Sequence, residues 1–470
     1  MSDSGAVVVA RRPAPGLPRP YSFPQVERQR LDNGLGLVVC HLPGRPLVAA
    51  SLVIAGGAAD EPADRAGASI LMARALTEGT ARHSAIELVE ATERLGASLH
   101  AEAGWDAMSV SADAPADRLP ETLALMAEVL EAPTFPSAEI ERLRDERLND
   151  LLQAHADPRR RAEEAFVETI YAPASPYHRP GAGMRSTVER LDVAALRAEH
   201  DRRFDPAAMT LVVGGDLSGI DIEALALARF GDWRADRGVE RFGSIDASAA
   251  SADRSIRVIH RPGAVQTEIR IGHVGLARRI GDYHAVAVMS AILGGLFNSR
   301  LNRKLREEKG YTYGAGAGFD FRRAAGPFGA RAAVNTEVTV PAIVDILAEL
   351  DAIREAPVST AELSDARNYL VGVFPLRFET PGAVVGALAN LVVHDLPGDE
   401  LERYRPAIEA VGIDDVQRAA QAHVRPGAAA IVLVGDADAF LGDLEAAGLG
   451  AVSVERESAS TTEAANGDLG

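Results

Sequence analysis

Two residues in this sequence have the types and spacing to act on a carbonyl group: Arg306 and Tyr313. A guanidinium and a phenol hydroxyl are both hydrogen-bond donors, suited to an oxygen that gains negative charge during acyl transfer. Leu301 and Leu305, with the glutamate and lysine residues around them, predict a helix that Gly310 stops from its C′ position. Tyr311-Thr312-Tyr313 has strand propensity, and alternation places Tyr311 and Tyr313 on one face. An arginine in the last helical turn and a tyrosine on the outgoing strand can then converge on one point. The alternative, on spacing alone, is that Arg306 caps the helix C-terminus and Tyr313 packs in a sheet.

Other chemistries have less to work with. None of the 11 histidines stands four residues from another, so a helix face with two histidine ligands is missing. His83 and Glu87 can share a helix face and read as two solvated polar residues. Cys40 is the single cysteine, which excludes an intrachain disulfide and a cysteine-rich zinc site. The run Gly314-Ala315-Gly316-Ala317-Gly318 lacks the Gly-Lys-Ser/Thr ending of a phosphate loop and reads as a small-residue strand that permits close packing. Acidic residues outnumber basic ones 67 to 49, for a net charge of −18. Such a chain repels phosphate backbones, so nucleic acid is a poor partner, whereas an acidic cavity attracts basic peptides. Ala6 to Ala10 precedes Arg11 and Arg12 instead of following them, which is not a signal peptide, and no apolar stretch is long enough to span a membrane. The expected compartment is the cytoplasm.

The elements that position these residues recur twice. His41-Leu42-Pro43-Gly44 follows the strand-like Leu37 to Cys40, and His260-Arg261-Pro262-Gly263 follows Ile256 to Ile259. Pro206 to Asp216 and Pro426 to Asp436 match in the same way, as do Gly104-Trp105-Asp106 and Gly318-Phe319-Asp320. Three ordered matches at nearly one offset imply tandem copies of one domain. Val48 to Ile54 and Gln266 to Val274 read as strands, and Ser137 to Ala154 as a helix with Ile140, Leu143, Leu148, Leu151 and Leu152 on its apolar stripe. Asp216 and Asp436 end strands and are candidate caps. The expected organisation is a mobile arm (1–28), an N-terminal domain (29–233), a Gly/Ser/Asp-rich linker (234–254), a C-terminal domain (255–451) and a disordered tail (452–470). The mixture of helices and strands gives an α+β fold.

Gly67-Ala68-Ser69-Ile70-Leu71-Met72-Ala73-Arg74-Ala75-Leu76-Thr77-Glu78-Gly79-Thr80 resembles the active-site helix of the inverted zinc metallopeptidases, the pitrilysin/insulinase family. The frame, Gly67 and Gly79-Thr80, is present. On the family's register the two histidine ligands fall at Ile70 and Arg74, and the water-activating glutamate at Ala73. The third ligand falls near Asp150 or Leu151, and Leu151 reads as core. The resemblance therefore implies no zinc in this chain. Leu293 to Tyr313 is similar to the family's C-terminal-domain signature, and the family's Arg/Tyr pair maps to Arg306 and Tyr313.

That resemblance, which covers roughly residues 29 to 450, implies two homologous domains, each a mostly antiparallel sheet packed with helices, together forming half of a clamshell. It implies a chain inactive alone, paired with a homologous zinc-bearing subunit. Arg306 and Tyr313 then hold the carbonyl of an unfolded peptide for hydrolysis at the partner's zinc. The other readings are an inert regulatory or structural subunit, like those of mitochondrial processing peptidase or the respiratory core, and a stand-alone peptide-binding module.

Overall fold

In the computed structural model, residues 16, 20–234 and 243–456 are described. Twelve strands form two six-stranded sheets. The first contains β1 (Glu27–Arg30), β2 (Gly36–His41), β3 (Leu47–Ala55), β4 (Ser98–Ala103), β5 (Ala107–Pro115) and β6 (Met209–Gly215), in the order β1-β2-β6-β3-β5-β4. The second contains β7 (Ser255–His260), β8 (Gln266–Val274), β9 (Ala315–Phe319), β10 (Pro327–Asn335), β11 (Ala430–Gly435) and β12 (Ala451–Arg456), in the order β12-β7-β11-β8-β10-β9. From the second position inward the orders are the same, which is the duplication seen in the sequence. Within each sheet most neighbours are antiparallel; β2 with β6, and β7 with both β11 and β12, are parallel.

The central strands are apolar on both faces because helices cover both. On one face of the first sheet, Val48, Ala50, Leu52 and Ile54 pack with Leu71, Met72, Leu123 and Ile140 from the domain's own helices. The other face is covered by the opposite half of the chain. Helix Pro381–Val393 lays Val384, Val385 and Leu388 against Val38, Ala49, Val53 and Val212. Reciprocally, helix Pro158–Ile170 lays Ala162, Ala165, Phe166 and Ile170 on Ile259, Val274, Val432 and Val434 of the second sheet. The two domains thus exchange one helix each, an arrangement that the boundary at 234–254 did not anticipate.

At the seam the matched motifs meet. Asp106 accepts hydrogen bonds from the Arg323 backbone N–H at 2.7 Å and from the Tyr177 hydroxyl at 3.3 Å. The Arg322 guanidinium stacks over Trp105 at 4.4 Å and Tyr177 at 4.6 Å, and Arg323 pairs with Asp60 at 2.6 Å. Trp105 and Asp106 of the first copy's Gly-Trp-Asp therefore help to build the seam.

Both ends of the expected layout need correction. Residues 452–456 belong to β12, which pairs with β7 because Val452 and Val454 pack on the core; 457–470 lie outside the described residues. In the expected mobile arm, Tyr21 packs on Phe374 and Phe23 on Phe378, so 20–28 is anchored on the second domain. Most of 1–19 and residues 235–242 of the linker lie outside the described residues. The β1 edge is protected by its own sequence, Glu-Arg-Gln-Arg, exposed at every position.

Candidate functional site

The helix carrying the degenerate motif runs Ala68–Ala75. Gly67 caps it with φ of 96°, in the left-handed region, and a Cβ there would come within 2.8 Å of the Ala182 carbonyl oxygen. Only glycine fits, so this part of the frame is a packing requirement independent of metal. The first-turn N–H groups of Gly67 and Ser69 donate to the buried Glu61 carboxylate at 2.8 and 2.6 Å. Burial pushes the Glu61 carboxyl up, against the opposing pull of those N–H groups. Behind the helix, Glu199 accepts from Ser69 Oγ at 2.9 Å and from Arg203 Nε at 2.5 Å, while Arg203 also donates to Ser69 Oγ and to the Gly57 carbonyl. Burial alone would raise the Glu199 pKa; Arg203 and Arg202 hold it below the usual carboxylate range. Sequence reasoning missed this cluster. Its signal was a set of charged residues, Glu61, Glu199 and Arg203, between apolar segments.

The positions that align with metal ligands do not fit zinc. Ala73 is fully buried and Ile70 half-buried, and neither side chain has a donor atom. Arg74 Nη2 donates to Glu146 Oε2 at 2.7 Å on helix Ser137–Ala156. Arg142 on that helix pairs with Glu146 at 2.6 Å, Glu78 at 2.7 Å and Glu139 at 2.8 Å. The two helices that would hold a metal between them are clasped by guanidinium–carboxylate pairs instead. A cation already occupies the locus, and the carboxylate facing it is neutralised. Leu151 is half-buried rather than core, and Leu152 is exposed. Beyond Leu143 the helix carries an ion network, in which Asp150 pairs with Arg147 and, at 2.8 Å, with Arg160. The apolar stripe read from the sequence therefore stops at Leu143.

Two other histidine sites resolve into structural contacts. His83 Nδ1 lies 2.8 Å from Glu128, which also accepts from Thr80, and Glu87 closes a capping box with Ser84. Among the described residues, His260, Asp436 and Asp438 are spaced closely enough for an ion. However, His260 Nδ1 accepts from the Ala437 N–H at 3.1 Å, as His41 Nδ1 does from Leu217 in the other copy, and Asp438 pairs with Arg456 at 2.6 Å. The repeated histidine contact marks a structural device. Asp436 caps helix Ala437–Ala446, as expected, but Asp216 holds a turn through Ser218 and Gly44.

Arg306 sits in the second domain, in the helical segment Arg303–Glu308, which is wound as a π-helix after one turn of α-helix, Arg300–Asn302. Such widened turns are frequent at functional sites. Gly310, at φ of 64°, ends the helix, with its N–H on the Arg306 carbonyl at 3.2 Å. The guanidinium lies 4.4 Å over the Phe297 ring and 3.3 Å from Glu307. The expected strand at Tyr311–Tyr313 is a loop, since β9 begins at Ala315. The two tyrosines consequently do not share a face. Tyr311 packs against the core, and Tyr313 is 94% exposed. The glycine run forms β9, and Gly294 shows why it is small: a Cβ there would stand 2.1 Å from Ala317 N. Among the described residues, no single helix is long and apolar enough to cross a membrane.

Residues 37–178 match the family described as insulinase (peptidase family M16), and residues 190–370 match the peptidase M16 inactive domain. The chain belongs to the M16 peptidase family. An uncharacterized zinc protease of Mycobacterium tuberculosis is 24% identical over 395 residues, 84% of this chain and 90% of that one. The non-peptidase homolog YmxG of Helicobacter pylori is 23% identical over 380 residues, 79% of this chain and 85% of that one. Among solved structures, an M16 inactive domain from Pseudomonas fluorescens superposes with a TM-score of 0.81 at 24% identity, covering 87% of this chain and 98% of that one. A Helicobacter pylori protease superposes at 0.82 with 18% identity, covering 88% of this chain and all of that one. These structural likenesses concern the fold. This M16 chain is of the inactive type and lacks the zinc motif.

Proposed function

We propose that this chain is the non-zinc subunit of a two-chain M16 peptidase, supplying Arg306 and Tyr313 to the substrate carbonyl. The observation that carries the reading is the exposure of Tyr313 beside a half-buried arginine. Tyr313 offers its hydroxyl to solvent at 94% exposure, and the Arg306 guanidinium lies over the Phe297 ring with, among the described residues, its neighbour Glu307 as its only ion partner. A purely structural arginine and tyrosine are normally tied into the fold, as Arg203 and Tyr177 are here. A homologous partner with an intact His-x-x-Glu-His motif supplies the zinc, and the two chains close as a clamshell on an unfolded peptide. Arg306 and Tyr313 donate to the carbonyl oxygen as it gains charge. This chain alone is inactive, and we place it in the cytoplasm, where the buried Cys40 thiol stays reduced.

The test is the assembled complex carrying Arg306→Ala or Tyr313→Phe. Each variant lowers kcat/KM on a quenched peptide by roughly 100-fold, the cost of one oxyanion donor, while the complex still elutes intact. Full activity in both variants refutes the assignment. The YmxG relative, described as a non-peptidase homolog, supports a second reading, an inert regulatory subunit. In that case assembly matters and the pair does not.

A further inference from the structure

Arg306 lies on a platform that the core does not require. Gly294-Gly295 ends the preceding helical segment, and Leu296-Phe297-Asn298-Ser299 turns the chain into the helix that carries Arg306. The Ser299 N–H closes this turn on the Leu296 carbonyl at 3.1 Å, so Phe297 stands at its first corner. Asn302 braces the turn. Its Nδ2 donates to the same carbonyl at 3.2 Å, and its Oδ1 accepts the Ala315 N–H at 2.9 Å. One amide thus ties the turn bearing Phe297 to the chain that leaves Tyr313. The backbone is fixed, yet the Phe297 ring is 67% exposed and, among the described residues, joins no core cluster. Burial therefore does not account for the ring. Its contact is the Arg306 guanidinium, 4.4 Å from the ring centre.

Other stacked guanidinium groups are tied off by carboxylates. Arg278, over Tyr283 at 3.4 Å, donates to Glu400 at 2.9 Å. Arg322, over Trp105, donates through Nε and Nη2 to Asp320 at 2.9 and 2.7 Å. Arg306 differs. Its Nε faces Glu307 at 3.3 Å, the Phe297 ring takes one face, and neither Nη group has a partner among the described residues. Glu307 is 61% exposed and adjacent in sequence, so that ion pair alone holds the side chain weakly. The ring is then the contact that restrains the long side chain while leaving its donor end open. A donor fixed before charge develops stabilises that charge better than one that must be ordered during the reaction.

We infer that Phe297 is a positioning residue, acting through Arg306 by holding the guanidinium with its Nη end toward the substrate carbonyl. The inference rests on the proposed role of Arg306 and adds the residue that orients it.

Steady-state kinetics of the assembled two-chain complex test it, with Phe297→Leu, Phe297→Tyr, Arg306→Ala and the double variant of Phe297→Leu with Arg306→Ala. Phe297→Leu keeps an apolar side chain and removes the ring. It lowers kcat about fivefold at nearly constant KM, the worth of an exposed cation–π contact. Phe297→Tyr, which keeps an aromatic face, restores the rate. In the Arg306→Ala background Phe297→Leu lowers the rate no further, because the ring has no guanidinium to hold. A further loss in that background, or a raised KM with kcat unchanged, makes Phe297 a direct substrate contact and overturns the inference. Wild-type kcat in Phe297→Leu overturns it as well, and if Arg306→Ala is impaired in the same experiment the peptidase reading stands without it. Full activity of Arg306→Ala removes both.

Discussion

Replacing Glu199 with glutamine tests what holds the degenerate motif helix in place without a metal. The substitution keeps the shape and removes the charge. Glu199 and Arg203 side chains are 4% and 2% exposed, 2.5 Å apart, and Ser69 on the helix is bonded to both. Removing one partner of such a buried pair leaves the other uncompensated, at a cost of about 3–5 kcal/mol. Arg202, which also binds Glu199, is 20% exposed and can turn to solvent, so the cost falls mainly on Arg203 and lies near the low end, about 3 kcal/mol. For a domain of this size that lowers Tm by roughly 6–12 °C. Urea unfolding followed by circular dichroism measures the free energy directly. The pH dependence gives a second check. Glu199 is held below the ordinary carboxylate value, so its contribution is present above that value and is lost as pH falls through the lowered one. Glu199→Gln flattens that part of the profile. A loss under about 1 kcal/mol at neutral pH refutes the view that this cluster carries the helix.

Other expectations follow from the same geometry. His273 is buried against Phe328 and accepts the Arg425 N–H at 2.9 Å, and burial pushes its pKa down to about 4. Its contribution is therefore complete above the ordinary histidine value of 6.5 and is lost as pH falls toward 4. In His273→Leu that slope disappears from the stability–pH curve, and a slope that persists assigns it to another group. The triple variant Ile70→His, Ala73→Glu, Arg74→His still binds zinc poorly, because the family's third-ligand position holds Leu151 and the carboxylate facing Arg74, Glu146, stays paired with Arg142. Stoichiometric tight zinc by metal analysis contradicts that, and identifies Glu146, released from Arg74, as a competent third ligand.

The duplication was legible because its marks are local. A strand ending in His-x-Pro-Gly and another ending in Gly-Asp survive in both copies, each tied to backbone that must turn in the same way. Strand β8 and the start of helix Ser137–Ala156 were read to the residue for a similar reason, since period and burial agree there. The helix exchange was not legible. Nothing in Pro381–Val393 says which sheet its apolar face covers, because a buried face looks the same against either. Leu151 misled because a leucine at helical spacing implies burial only while the helix stays on its sheet. Tyr311 and Tyr313 failed as a strand pair because the π-helical turn and Gly310 spend those residues on a loop, and alternation does not apply there. The degenerate motif itself was readable, since a metal site is defined by donor atoms and their loss is visible residue by residue. What replaced the metal, the Arg74–Glu146 clasp, required the second helix to be in place.

The most direct test of the central claim is native mass spectrometry of the tagged chain purified from its own host. The account predicts a complex near twice the mass of this 49.6 kDa chain, containing a different M16 chain with an intact zinc motif and one zinc ion. A zinc-free monomer or homodimer, or zinc bound by this chain alone, contradicts it.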